Sequence, residues 1–324
     1  LIELDGTETK SKLGANAILG VSLSVAKAAA ADLALPLYRY IGGAVGRELP
    51  LPLFAMISGG RHAGENIDFQ DFQIVPLVAK SFGEALRVGK DVHVALKDVL
   101  RDKGLATGVS DTGGYPPVLE SNAQALELME EAVERAGYEA GADVAFSMDV
   151  AAEMFYQDGR YILKAEGKEL GSEQMVDLLE SWVESYPIVL IEDPLGEDDF
   201  DGWKLITRRL GGRVQLIGDD LFTTNMRRFA HGAAQGIANG ILVKPNQIGT
   251  LTETLDIIAA AKTAGYWVVI SRRSGETEDT TVADLAVATN CEGIKFGSLS
   301  RSEGLAKYNR LLRIEESLGA AAIY

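Results

Sequence analysis

The sequence predicts an α/β protein whose larger part is a (β/α) barrel, preceded by the helical tail of another domain. From about residue 142 onward, short apolar runs alternate with helix-like stretches. The runs are continuously apolar, as parallel strands buried on both faces are. Each run also ends in a polar or charged residue, and such residues gather at the carboxyl ends of barrel strands.

Six of these runs follow one another and define the repeat. An open doubly wound sheet is the alternative arrangement of repeated βα units, but no Gly-x-Gly-x-x-Gly follows any of the runs, which favours the barrel. The terminal residues of the runs are 23 to 43 residues apart. In chain order the runs are DVAFSMDV, IVLIED, VQLIGDD, GILVKPN, WVVISRR and GIKFG.

The first 48 residues have a different pattern. They contain an Ala-rich helical stretch and a second helix led by Pro36, which ends at Gly42 and Gly43. This pattern predicts the tail of a domain packed on the barrel, with a boundary between residues 1–48 and 49–324. The segment LPLPLFAMISGG, residues 49–60, predicts the first barrel strand, ending at a Gly pair.

Composition limits the partners. The 324 residues carry a net charge of −16, which argues against binding nucleic acid and makes a cation site plausible. No apolar run reaches the roughly 18 residues of a membrane span, so we expect no membrane partner. The single cysteine, Cys291, fits a reducing compartment, and we expect a cytoplasmic protein.

Three carboxylates end successive predicted strands: Asp149, Glu192 and Asp219. Neighbouring strand ends lie side by side in a barrel, so these groups should converge and raise one another's pKa unless a cation offsets them. An all-oxygen ligand set suits Mg²⁺ or Mn²⁺ better than Zn²⁺. The alternative is that each acid caps a helix or lies in its first turn.

The next strand ends carry cations. Lys244, at one of them, is a candidate general base, and Arg272, Arg273 and Lys295 follow. Arg273 with Ser274, placed before a helix start, can hold a phosphate. Taken singly, each basic residue is more simply a solvated surface charge. Together with the acids they indicate a phosphorylated carboxylic acid as substrate, proton abstraction next to the carboxylate, and a metal that stabilises the enolate.

Long motifs along the whole chain resemble those of enolases, the phosphopyruvate hydratases. The resemblance implies an enolase-type (β/α)8 barrel with irregular early strands, Mg²⁺ as cofactor and a homodimer. It also implies a small N-terminal α+β capping domain, near whose end this sequence begins. The motifs are DGTETKSKLGANAILGVSLSVAKAAAA, PLYRYIGG, IEDPLGEDD, GDDLFTTN, NQIGTLTET, SGETEDTTVADLAVA and AKYNRLLRIEESLG.

The resemblance also implies roles for individual residues. Asp149, Glu192 and Asp219 would hold the Mg²⁺, and Lys244 would remove the C2 proton of the substrate. The residues implied in substrate binding are Arg273 and Ser274 for the phosphate, Lys295 for the carboxylate, and His62 and Gln70 elsewhere in the site.

Three positions depart from the family pattern, and all lie in the predicted site. Thr112 replaces the glutamate that assists departure of the C3 hydroxyl, Arg272 replaces a histidine, and Asp71 replaces the glutamate of a QEF motif. Threonine is not an acid at neutral pH, and losing a general acid typically slows catalysis by a hundred- to ten-thousand-fold. Arg272 has a planar fork that suits a second phosphate or carboxylate.

We therefore expect altered chemistry on phosphoenolpyruvate or a 2-phosphoglycerate-like acid. The pattern resembles the carboxyphosphonoenolpyruvate synthases of phosphinothricin-type antibiotic pathways, which join phosphonoformate to an enolpyruvate unit. Such an enzyme would take a second phosphonate or carboxylate co-substrate. The alternatives are ordinary enolase activity and a non-catalytic binding protein on an enolase scaffold.

Overall fold

The computed structural model describes residues 1–64 and 66–324 and confirms the predicted barrel. Its main sheet has the strand order β1-β12-β11-β10-β9-β8-β4-β3-β2. The strands are β1 Leu51–Pro52, β2 Phe54–Ser58, β3 Asp71–Pro76, β4 Val144–Asp149, β5 Tyr156–Gln157, β6 Arg160–Leu163, β7 Lys168–Leu170, β8 Ile188–Glu192, β9 Gln215–Gly218, β10 Gly240–Val243, β11 Trp267–Ser271 and β12 Gly293–Lys295.

One chain segment closes the barrel. β1 pairs in parallel with β12, and β2, only one residue further on, pairs antiparallel with β3. Leu53 lies between the two strands, and its N–H donates to Ile294. The sequence predicted a single strand here. The chain instead changes partners midway, because the segment has to pair with both the first and the last strands of the sheet.

The strand directions divide the barrel into two parts. β3 is antiparallel to both β2 and β4, whereas the pairs from β4 through β8, β9, β10 and β11 to β12 are all parallel. This confirms the expected irregularity of the early strands. It also brings the start of β3 to the same end of the barrel as the carboxyl ends of the parallel strands, since Asp71 pairs with Asp149.

The helices lie outside the sheet or in its connections. Their apolar faces bury against the strands, as in α4, where Phe82, Val92 and Leu96 are fully buried. The helices are α1 Ile2–Asp5, α2 Ala15–Asp32, α3 Leu37–Gly42, α4 Phe82–Asp102, α5 Asn122–Arg135, α6 Ser172–Ser185, α7 Phe200–Leu210, α8 Met226–Ala234, α9 Pro245–Ile248, α10 Leu251–Thr263, α11 Thr281–Ala288 and α12 Ser302–Leu318.

The predicted N-terminal helices correspond to α2 and α3. α3 packs on α11, and α2 packs on α9 and α10, so both helices rest on the barrel. A three-stranded antiparallel sheet, β5-β6-β7, which the sequence patterns did not indicate, stands apart from the barrel. Within residues 1–64 and 66–324, no helix combines the length and apolar character needed to cross a membrane.

A buried apolar cluster fills one end of the barrel. Six neighbouring strands and the residue between β1 and β2 each contribute one side chain to it. Side chains inside barrels form layers of this kind. In each parallel strand the apolar residue precedes the polar residue at the strand end, so the polar cavity forms at the opposite end of the barrel. The cluster consists of Leu53, Val75, Ala145, Leu190, Ile217, Leu242 and Val269.

Candidate active site

A cavity of about 300 Å³ lies at the end of the barrel where the parallel strands finish. Eleven of the twelve predicted site residues line it, and the twelfth, Glu192, is buried directly beside it. The lining includes Arg61, His62, Gln70, Asp71, Gln73, Asp111, Thr112, Asp149, Asp193, Asp219, Asp220, Lys244, Arg272, Arg273, Ser274 and Lys295.

Strand register brings the carboxylates together. Asp71 on β3 is paired with Asp149 on β4, and Asp149 is paired with Glu192 on β8. All three are almost fully buried. Asp219 follows β9 by one residue and is also buried. None of the three predicted ligands caps a helix, so the capping alternative is wrong for them; Asp199 and Asn225 cap the helices that follow β8 and β9.

Two lysines are ion-paired with these acids. Lys295 Nζ donates to Asp149 Oδ2 at 2.5 Å and to Glu192 Oε2 at 2.8 Å, and Lys244 Nζ donates to Asp219 Oδ2. Burial lowers the pKa of Lys295, but the charges of Asp149 and Glu192 outweigh burial and raise it well above its ordinary value. Lys295 is therefore a permanent cation in the site.

The two lysines thus bond to all three predicted metal ligands. Over the described part of the chain, the one set of three acids whose ligand oxygens all lie within 4.8 Å of one another is Asp193, Asp219 and Asp220. Asp149 and Asp219 line the cavity and Glu192 is buried beside it, with Lys295 bonded to Asp149 and Glu192 and Lys244 bonded to Asp219. Their role as metal ligands stays a prediction.

The residues nevertheless fit a divalent cation. Glu192 Oε1 is buried and has no hydrogen-bond partner among the described residues. Burial and then the charge of Asp149 raise the pKa of Glu192 to about 8. Glu192 thus has a buried oxygen without a donor and a raised pKa. Both properties indicate that the two lysines do not fully stabilise the ionised form of Glu192. Oxygen donors of this kind suit Mg²⁺.

Asp193 has a structural function that the sequence did not reveal. Its Oδ1 accepts from the backbone N–H of Asp219 at 2.9 Å and its Oδ2 from that of Asp220 at 2.7 Å. These bonds hold the turn after β9 against the end of β8. Asp193 is thus a structural residue of the turn as well as a member, with Asp219 and Asp220, of the set of acids close enough to share a cation, while Glu192 Oε1 is the oxygen without a donor.

The loop after β9 also positions Lys244. Thr224 Oγ1 accepts from the Lys244 N–H at 2.9 Å and donates to Gln247 Oε1 at 2.6 Å. Gln247 Nε2 then donates to Asp219 Oδ1 at 3.1 Å. The motifs GDDLFTTN and PNQIG therefore interlock around the Lys244–Asp219 pair, and neither Thr224 nor Gln247 was a predicted site residue.

On the other side of the cavity, Asp71 accepts three hydrogen bonds. Its Oδ1 accepts from Ser58 Oγ at 2.9 Å and from Thr112 Oγ1 at 3.3 Å, and its Oδ2 lies 2.9 Å from His62 Nδ1. Ser110 Oγ donates to Ser58 Oγ at 2.9 Å. Thr112 therefore supports Asp71, and both Asp71 oxygens have hydrogen-bonding partners.

Charge interactions reinforce the pair of His62 and Asp71. Burial raises the pKa of Asp71, but the charge of His62 and its hydrogen bond lower it further, so the carboxyl pKa is below its usual value. Burial lowers the pKa of His62, but the charge and hydrogen bond of Asp71 more than reverse this, and the imidazole pKa is raised. Both effects favour an ionised Asp71 beside a protonated His62.

Arg272 is less available than the sequence suggested. The side chain is buried, and its Nε, Nη1 and Nη2 donate to the carbonyl oxygens of Phe296 at 2.8 Å, Arg273 at 2.7 Å and Thr112 at 3.4 Å. A guanidinium has five N–H groups. Arg272 is therefore first a clamp that holds two loops together, and two N–H groups remain for a ligand.

Arg273 and Ser274 are exposed at the cavity rim. Arg273 Nε donates to Asn246 Oδ1 at 3.4 Å, and no carboxylate of the described residues lies within 4.0 Å of the Arg272 or Arg273 guanidinium. Ser274 does not precede a helix as predicted: it lies in a turn, and α11 begins only at Thr281. Two cations without acidic partners at one side of the cavity suit an anionic substrate.

Gln70 has a positioning contact of its own. Its Nε2 donates to Asp149 Oδ2 at 2.8 Å, the same oxygen that accepts a hydrogen bond from Lys295 Nζ.

The sequence analysis missed several polar residues that lie near the predicted ones along the chain. Only the fold shows what their side chains contact. They are Ser58, Arg61, Ser110, Asp111, Asp193, Asp220, Thr224 and Gln247.

Two family models match the chain. The model described as "Enolase, C-terminal TIM barrel domain" matches residues 47–324. The model described as "Enolase, N-terminal domain" matches residues 1–41. The first match covers the whole barrel and every residue of the candidate site.

Proposed function

The chain belongs to the enolase family, and on that premise we propose that it is a Mg²⁺-dependent enzyme acting on phosphoenolpyruvate or a 2-phosphoglycerate-like acid. The specific activity we propose is that of a carboxyphosphonoenolpyruvate synthase, which joins phosphonoformate to an enolpyruvate unit. A homodimer in the cytoplasm is part of the same proposal.

One observation carries the proposal of altered chemistry: residue 112 is a threonine and no acid, and the carboxylate that it contacts, Asp71, is already hydrogen-bonded, although Asp111 next to it in the chain also lines the cavity. Thr112 stands in place of the family's glutamate, and Asp71, the nearest carboxylate, already accepts bonds from Ser58, Thr112 and His62. The groups for proton abstraction remain, since Lys244 and the acids gather at one cavity. A site with this asymmetry favours chemistry on an enolpyruvate skeleton over dehydration.

The contacts suggest a division of labour among the residues. Asp149, Glu192 and Asp219 would hold Mg²⁺, which when bound supplies positive charge next to the substrate carboxylate. Lys295 would bind that carboxylate, and Arg273 with Ser274 would bind the phosphate at the rim. With a 2-phosphoglycerate-like acid, Lys244 would take the proton at C2, for which its ammonium must first leave Asp219 and lose a proton. Phosphoenolpyruvate has no hydrogen at C2, so with that substrate Lys244 would act as a cation beside the bound anion.

Ordinary enolase activity is the second candidate, favoured by the family match over residues 47–324. It requires some other group to assist departure of the C3 hydroxyl. A non-catalytic scaffold is less well supported, because buried, mutually paired lysines and acids are expensive to keep in a protein that makes no use of them.

The test is to incubate the protein and Mg²⁺ with phosphoenolpyruvate, with and without phosphonoformate, and to follow the products by phosphorus NMR. The proposal predicts inorganic phosphate and a new phosphonate ester only when both substrates are present. The Lys244→Ala variant and a sample without metal are the controls. Conversion of phosphoenolpyruvate to 2-phosphoglycerate at a normal enolase rate, with no new phosphonate signal, would favour the ordinary assignment.

A further inference from the structure

We propose that His62, oriented by Asp71, is a catalytic proton donor and acceptor at C3 of the enolpyruvate substrate, on the side of the cavity opposite Lys244. This inference rests on the proposed function and deepens it. It concerns a residue whose sequence pattern indicated substrate binding only.

The barrel places the two groups across from each other. In the closed ring, β3 and β10 are separated on one side by β4, β8 and β9, and on the other by β11, β12 and the β1–β2 segment. Asp71 begins β3, and Lys244 directly follows β10. A three-carbon substrate bound between them would present adjacent carbons to the two groups from opposite sides.

The local contacts fit a histidine that transfers protons. His62 Nδ1 is 2.9 Å from Asp71 Oδ2, which leaves Nε2 as the second nitrogen, and the ring lines the cavity. Among the described residues, no side chain or backbone group bonds to Nε2. A buried carboxylate that receives Nδ1–H fixes the tautomer and stabilises the imidazolium, as in other histidine–carboxylate pairs.

The surroundings support the charge assignment. Asp71 also accepts hydrogen bonds from Ser58 and Thr112, which hold the carboxylate in position beside the histidine. The other charged groups that act on the imidazole are Lys295, which opposes protonation, and Asp149, which favours it. The threonine at residue 112 thus also supports Asp71 through a hydrogen bond.

The step balances as an addition followed by an elimination. His62 Nε2–H gives its proton to C3, the C2–C3 π electrons form the new C–H bond, and an oxygen of the phosphonate co-substrate adds to C2. The phosphate then leaves C2 with the electrons of its C–O bond. His62, now neutral, takes a proton back from C3 and restores the double bond.

The experiment is hydrogen exchange at C3. Phosphoenolpyruvate, phosphonoformate, Mg²⁺ and the protein are combined in D₂O, and proton NMR follows loss of the vinyl signals while phosphorus NMR follows product. Because C3 passes through a methyl group, the wild type should place deuterium in the vinyl position of substrate or product. His62→Asn should slow this exchange and product formation together, by about a hundred-fold or more.

Matched variants separate chemistry from folding. His231→Asn changes an exposed histidine on α8 outside the cavity and should leave both signals unchanged. The Asp71→Asn variant should also lose hydrogen exchange at C3. In a His62→Gly variant that keeps the wild-type melting temperature, added imidazole should partly restore this exchange. Should His62→Asn fail to fold, the imidazole rescue of His62→Gly and the Asp71→Asn result decide the question.

The outcomes are distinct. Product with deuterium that depends on His62 supports the inference. Product formed without vinyl deuterium, or with full exchange in folded His62→Asn, overturns the inference and leaves the proposed function intact. If the wild type forms no new phosphonate product, the proposed function has failed. If, in addition, vinyl exchange is absent or does not depend on His62, the inference about His62 has failed as well.

Discussion

At the scale of single residues, the site is governed by which buried polar groups already have partners. Arg272 looked available in the sequence, but its guanidinium bonds to the carbonyl of Thr112, 160 positions away in the chain. Asp71 likewise accepts a hydrogen bond from Thr112, 41 positions away. Glu192 Oε1, by contrast, has no donor in the part of the chain that the structure describes. Free hydrogen-bonding capacity, more than residue type, separates ligand-binding groups from structural ones here.

We predict that Arg272→Ala destabilises the protein before it affects any co-substrate. The change leaves the carbonyls of Phe296 and Arg273 without their donor, while Thr112 O loses a 3.4 Å bond and keeps the Ser298 N–H. Leaving buried polar groups unsatisfied costs about 1–3 kcal/mol each, so a loss of about 2–4 kcal/mol is expected. Thermal unfolding should show a melting temperature lower by several degrees.

Two variants calibrate that measurement. Arg272→Lys retains the charge but not the fork, and should recover little of the stability. Arg213→Ala, at an exposed arginine, should change the free energy of unfolding by no more than about 0.5 kcal/mol. An Arg272→Ala protein as stable as the wild type, with weakened co-substrate binding alone, would return Arg272 to the anion-receptor role that the sequence suggested.

At the scale of elements, the site depends on contacts between loops that follow different strands. The loop after β12 and the loop carrying Thr112 are joined by the Ser298 N–H, which donates to Thr112 O at 2.8 Å, and by Arg272. Gly297 lies at their contact with φ +91°, and a Cβ there would be 2.5 Å from Arg272 Nη2 and 2.6 Å from Thr112 O.

Gly297→Ala should therefore disturb the Thr112 side of the cavity while leaving the barrel folded. Both the positive φ and the backbone contact oppose a side chain at this position. We expect lower stability and a larger loss of product formation than for Gly212→Ala, where a Cβ meets nothing within 4 Å. Melting curves and product assays on the two variants measure this, and equal behaviour would show that the loops adjust freely.

The sequence predicted the parallel strands because each is a continuous apolar run that ends in a charged or polar residue. It did not predict β3, whose buried Gln73 breaks the apolar pattern. Gln73 is tolerated because Ser147 on β4 donates to its Oε1 at 3.0 Å. Likewise, the site residues were predictable from their positions at strand ends, but the Lys295 and Arg272 contacts were not, because they depend on how distant loops pack.

At the scale of the whole molecule, an acidic chain surrounds a site that is itself rich in acids. The net charge is −16, and the described cavity contains Asp71, Asp149, Asp193, Asp219 and Asp220 in addition to the buried Glu192. Burial, and next Asp219, raise the pKa of Asp193 well above its usual value, and burial with Asp149 raises that of Glu192 to about 8. Folding without a cation therefore favours the protonated forms of Glu192 and Asp193.

We predict that Mg²⁺ stabilises the protein more at pH 8.5 than at pH 6. Between the ordinary glutamate pKa of 4.5 and the raised pKa of about 8, Glu192 holds a proton in the folded state that it has lost in the unfolded chain. The metal-free protein therefore becomes less stable as pH rises through this window. Mg²⁺ requires the ionised carboxylate, so its binding grows stronger over the same range.

The measurement is the shift in melting temperature on adding Mg²⁺ or EDTA across this pH range. Glu192→Gln should remove most of the shift and its pH dependence, while Glu180→Gln, on the outer surface, should keep both. A Mg²⁺ effect that is the same at both pH values would argue against Glu192 as a ligand.

The central claim is that the site keeps proton abstraction at C2 and has lost assisted departure of the C3 hydroxyl. The most direct test follows 2-phosphoglycerate in D₂O with Mg²⁺ and compares exchange of its C2 proton with its conversion to phosphoenolpyruvate. We predict exchange that depends on Lys244, and dehydration at least about a hundred-fold slower than exchange, from the size of a missing general acid. Dehydration that keeps pace with exchange, at the rate of an ordinary enolase, would contradict the account.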